Sequence, residues 1–72
     1  MDQRNVDRLF AWLALQVEAT YREEIDMAMD CFIEEEYTRE ELERFLEYVM
    51  ERVPDADYDR VFDRVESELN KL

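Results

Sequence analysis

Glu23, Asp26, Asp30 and Glu34 are spaced three, four and four residues apart, a rhythm that aligns their carboxylates along one side of a helix. Such a ridge attracts cations and basic protein surfaces. Its repeat of about 5.4 Å per turn is also compatible with the spacing of phosphates along a nucleic-acid strand. A second set, Asp55, Asp57, Asp59, Asp63 and Glu66, fills positions 1, 3, 5, 9 and 12 of a twelve-residue window and offers the hard oxygen donors that calcium prefers. Catalysis has less to work with. The chain has no histidine, which removes Ser-His-Asp triads, Glu-x-x-His di-iron patterns and mixed zinc sites. Cys31 stands among Asp30, Glu34 and Glu35, a setting that opposes a nucleophilic thiol, and it reads as a half-buried structural residue. Carboxylate pairs doing acid-base work would need a concave site, for which a 72-residue domain has little room. The expectation is a protein without catalytic residues and without a cofactor.

The twelve-residue window resembles an EF-hand calcium loop, over those residues alone. The resemblance implies a calcium-binding module with Asp55, Asp57, Asp59, Asp63 and Glu66 as ligands. Arg60 stands where the loop's sharp turn needs glycine, and Pro54 replaces the regular residue that ends the incoming helix. A helix start explains the same acids more simply: Asp55 or Asp57 can cap it, and the positive end of the helix dipole favours all of them.

Positioning the acidic ridge requires helices, and the composition supplies them. There is no glycine and one proline, while Ala, Leu, Glu, Arg and Met are abundant. Apolar residues at Val6, Phe10, Leu13, Val17, Tyr21, Ile25, Ala28 and Phe32 keep helical phase from Val6 to about Glu36 and predict one long amphipathic helix. Thr20-Tyr21-Arg22-Glu23 fits a capping box, so a kink or break near Thr20 is the alternative. Met27 and Met29 read as packing fillers of this helix. A second helix starts at Thr38, which can cap Glu41 while Tyr37 staples onto Leu42, and carries Leu42, Phe45, Leu46, Val49, Met50 and Val53 up to Pro54. A third begins near Asp55 or Asp57 and presents Tyr58, Val61, Phe62, Val65, Leu69 and Leu72. The prediction is an all-α, single three-helix domain over residues 1–72, with one long N-terminal helix and two shorter ones.

On that long helix Leu9, Trp12 and Leu15 point away from the Phe10, Leu13 and Val17 stripe, toward the side of the acidic ridge. Two shorter helices would leave part of it uncovered. These three residues are therefore the expected dimer or partner interface, with Trp12 as its anchor.

Charge sets the partner class. Twenty-one acids against nine bases give a formal net charge of −12, which disfavours direct contact with nucleic acid or an anionic membrane. Between Glu18 and Glu36 eight acids face one base, Arg22, whereas later arginines sit at pairing distance from acids, as in Glu40/Arg44, Arg60/Asp63 and Arg64/Glu68. With 47% hydrophobic and 12% aromatic residues the chain can still collapse around a core. Its small size makes that core marginal and help from a second copy or a partner plausible. Eight arginines and one lysine also allow the acidity to reflect a high-salt host. One cysteine permits no internal disulfide, the first residues lack the order of a secretory signal, and the apolar run Leu9 to Leu15 is far shorter than the roughly 20 residues that span a bilayer. A cytoplasmic location is expected.

The functional expectation is a non-enzymatic protein whose Glu23, Asp26, Asp30 and Glu34 occupy a basic surface of a partner, such as a nucleic-acid-binding protein, and inhibit it by mimicking nucleic acid. In size and composition the chain resembles small acidic phage proteins that block host defence or transcription, with no shared motif. The alternative is a structural helical homodimer or small subunit of a larger assembly, and a calcium-binding module stands third.

Overall fold

The computed structural model describes residues 3–71, which form four α-helices and no strand. These are α1 (Gln3–Ala14), α2 (Arg22–Glu34), α3 (Arg39–Met50) and α4 (Asp55–Lys71), with a 3₁₀ turn at Ala19–Tyr21 joining the first two. The all-helical expectation holds. The single long first helix and the count of three do not, because the chain breaks after Ala14 and folds back.

Helix α1 must end without glycine, and no described residue adopts positive φ. Tight turns close it instead: Leu15 N donates to Trp12 O at 3.1 Å and Gln16 N to Leu13 O at 2.9 Å. The Arg22 guanidinium reaches back to the carbonyl oxygens of Ala14, Leu15 and Val17 at 3.2, 3.4 and 3.5 Å, satisfying acceptors that the end of a helix leaves free. Val17 turns into the core, and Glu18 N donates to Arg52 O at 3.0 Å, clipping this connector to the one between α3 and α4. Thr20 does not cap anything. It lies exposed inside the 3₁₀ turn, and α2 starts behind Tyr21 with no side-chain cap.

Helix α3 starts as its sequence dictates. Glu41 N donates to Thr38 Oγ1 at 3.1 Å and Thr38 N donates to Glu41 Oε1 at 3.2 Å, a reciprocal capping box. Tyr37 packs on the Phe32 ring at 4.5 Å between centroids. Pro54 separates α3 from α4, and Asp55 and Asp57 lie in the first turn of α4 rather than ahead of it. Leu72, expected on the last apolar stripe, lies outside the described residues.

One core joins the four helices. Val6, Phe10 and Leu13 meet Ile25 and Met29 of α2, Leu42, Leu46 and Val49 of α3, and Val61 and Val65 of α4. At its centre the Phe10 ring lies 5.9 Å from Phe32 and 5.3 Å from Phe45, and Phe32 stacks on Phe45 at 4.6 Å. Helix α1 packs against both α2 and α4, and α3 against α4. No helix among the described residues is long and apolar enough to cross a membrane.

Candidate functional site

The break spares the acidic ridge. Helix α2 runs without interruption from Arg22 to Glu34, so Glu23, Asp26, Asp30 and Glu34 share one helix and all four are exposed. Among the described residues no basic side chain lies within ion-pair distance of any of them. Arg22, the one cation of α2, is turned toward the end of α1. Asp7 of α1 joins Asp26 and Asp30 along the seam between the two helices, above Phe10 and Met29. Sequence spacing could not reveal that neighbour, because it arrives through the hairpin.

Two residues of α2 depart from expectation. Met27 is 64% exposed, within one turn of Glu23 and Asp30, so it sits among the carboxylates instead of filling the core as Met29 does. Cys31 is exposed rather than half-buried, because it lies one turn beyond Met27 on the same outward side.

Leu9, Trp12 and Leu15 do not form one patch. Leu9 is buried, Trp12 is half-buried and Leu15 is 67% exposed. The cause is the hairpin: with the first segment folded in two, α4 covers the side of α1 that a long helix would have left open. Arg64 of α4 lies over the Trp12 ring at 5.2 Å, and Arg8, Arg64 and Lys71 gather around it together with Glu68, which pairs with the last two. Trp12 therefore faces α4 in basic surroundings, not the acidic ridge.

The calcium-like window is helical throughout. Asp55, Asp59, Asp63 and Glu66 succeed one another along α4 instead of curling round a centre, and Asp57 pairs with Arg60 at 3.5 Å. Among the described residues no group of three acidic or cysteine side chains converges as metal ligands would. The Glu40–Arg44 and Arg64–Glu68 pairs form as the spacing predicts, at 2.6 and 3.2 Å. Arg60 does not pair with Asp63, because it reaches Asp57 and Gln16 Oε1 instead.

Sequence reasoning assigned Tyr58 and Phe62 to the core stripe of the last helix. They are instead 39% and 38% exposed, stacked with ring centroids 6.0 Å apart, on the wall of a groove between α3 and α4. The signal was present in the sequence: α4 carries two large aromatics on a stripe already filled by Val61 and Val65. Compared with models of protein families, with curated proteins and with solved structures, the chain matches none.

Proposed function

We propose that this chain is a non-enzymatic binding protein that presents the outward face of α2 to a basic surface of a partner protein, and that the surface it covers is one used for nucleic acid. The observation that carries this reading is the exposure of Glu23, Asp26, Asp30 and Glu34 on one helix without a counter-cation among the described residues. Like charges three and four residues apart destabilise a helix by roughly 0.2–0.5 kcal/mol per pair. A basic surface relieves that repulsion, and aligned carboxylates also steer association with it. Met27 adds an apolar contact within the ridge, suited to repacking against an irregular surface.

The test compares the wild-type chain with a variant in which Glu23 and Glu34 become Gln and Asp26 and Asp30 become Asn. Basic nucleic-acid-binding proteins captured from the host should be retained by the wild type only, released by salt and displaced by added DNA or RNA. The same proteins retained by both forms at high salt would remove the reading. The homodimer alternative rests on a reduced surface, Trp12 and Leu15, since Leu9 is inside the core.

A further inference from the structure

We infer that the groove between α3 and α4 docks a basic amphipathic helix of a partner protein. Its floor is Leu46, Met50 and Val65, its wall the stacked Tyr58 and Phe62, and its volume about 530 Å³. Large aromatics held more than a third exposed beside a buried floor are unusual in so small a core, and they are the residue types that anchor interfaces.

Charge decides the occupant. Along α3 the groove is rimmed by Glu43, Glu47 and Glu51, one turn apart. Along α4 it is rimmed by Glu66, and helical periodicity sets the exposed Asp59 and Asp55 in line with it, three and seven residues before Phe62. No basic side chain is among the described residues lining the groove. Of the rim acids Glu43 is held by Arg39 at 3.4 Å, and Glu51 lies 3.9 Å from the neighbouring Arg52. An apolar floor between two acidic ranks complements a helix with an apolar stripe flanked on both sides by Arg or Lys. Glu43 to Glu51 spans roughly 12 Å, a little over two turns, which accommodates anchors at i, i+3 or i+4, and i+7. A second copy seated face to face would set these acidic ranks against each other. Three of the carboxylates that resemble a calcium loop, Asp55, Asp59 and Glu66, thus acquire a role as one bank of the groove.

This inference uses helices other than α2 and does not depend on the acidic ridge. The probe is a synthetic helical peptide with one Leu stripe flanked by Arg, set against a scrambled peptide of identical composition in which the leucines share no face. Amide NMR titration should place the perturbations of the amphipathic peptide on Leu46, Met50, Phe62 and Val65, with binding at least about tenfold tighter than the scrambled form. Phe62→Ser should weaken it by about tenfold or more. The double reversal Glu47→Arg with Asp59→Arg, which leaves the floor intact, should do the same and reduce the salt dependence. Neutralising Glu23, Asp26, Asp30 and Glu34 should leave this affinity unchanged, so a failure here and a failure of the ridge are separately visible. Equal binding of the two peptides, perturbations confined to α2, or indifference to both groove variants would overturn the inference. Concentration-dependent self-association abolished by Phe62→Ser would overturn it too, in favour of a second copy in the groove.

Discussion

Helices α2 and α4 carry nearly mirrored acidic patterns, Glu23, Asp26, Asp30 and Glu34 at spacings of three, four and four, and Asp55, Asp59, Asp63 and Glu66 at four, four and three. Their surroundings differ. Helix α4 intersperses Arg60, Arg64 and Lys71, which pair with Asp57 and Glu68, while both helices place acids in their first turn, where the helix dipole favours them. Helix α2 turns its only cation away and leaves the four ridge acids around an exposed methionine, while Glu24, off the ridge, lies 3.8 Å from Arg52. Acid spacing therefore describes both helices equally well, and what each can bind is set by what stands beside the acids: an apolar groove and interspersed bases at α4, an exposed methionine at α2.

The most disruptive way to break this contrast is to remove the frame both regions share. Phe10 is 2% exposed and touches the aromatic rings of α2 and α3, so Phe10→Ala should cost about 3–5 kcal/mol. That is a large part of the stability a domain of this size holds, and chemical denaturation monitored by circular dichroism should show one cooperative loss.

A more selective break is Arg22→Ala. It frees the carbonyls of Ala14, Leu15 and Val17 and should cost about 1–2 kcal/mol. Hydrogen exchange should then rise first in the 15–21 connector and the start of α2, while α3 and α4 stay protected. Uniform exchange across the molecule would mean that the hairpin is held by the core alone.

The contrast itself is sharpened by neutralising each acidic set in turn. Conversion of the four α2 acids to their amides removes three like-charge pairs and should stabilise the fold by about 0.2–0.5 kcal/mol per pair, a gain that salt near 1 M should erase. The same change at Asp55, Asp59, Asp63 and Glu66 also removes three like-charge pairs and one first-turn carboxylate, but these acids are interspersed with Arg60 and Arg64, so it should stabilise the fold less or not at all. Thermal melts of the two variants with the same sign and size would abolish the distinction.

The smallest effect lies at the junction after α2. Tyr37 donates to Gln3 Oε1 at 3.0 Å, and burial, then the nearby Asp7, raise its pKa above the usual tyrosine value. Its neutral form is favoured by folding, so this contribution is present below the unfolded pKa near 10 and is lost as pH rises through the higher folded value. Alkaline titration of stability should show a fall in that range which Tyr37→Phe removes.

How much of this was legible depended on the range of the interactions. The reciprocal bonds of Thr38 and Glu41, the stop at Pro54 and the Glu40–Arg44 and Arg64–Glu68 pairs lie within four residues of one another and could be read directly. The break between Ala14 and Arg22 stood only as the alternative of a kink or break near Thr20, because the apolar stripe keeps its phase on both sides of it and the Thr20 capping box that suggested it does not form. The tight turns that close α1 are held by a hydrogen bond from Arg22, eight residues beyond Ala14, and by a contact between Glu18 and Arg52 across the molecule.

By itself the sequence determined the helical state of the chain, the start of α3, the boundary before α4 and the alignment of the ridge acids, since propensity, capping and one-turn neighbours are local properties of a helix. Only the tertiary structure decided which apolar residues are covered. Leu9 went inside, Trp12 came under Arg64, and Met27, Tyr58 and Phe62 were left in solvent. An amphipathic stripe states that a face is apolar, but burial needs a partner surface, and for these residues that partner is brought, or withheld, by helices distant in the sequence.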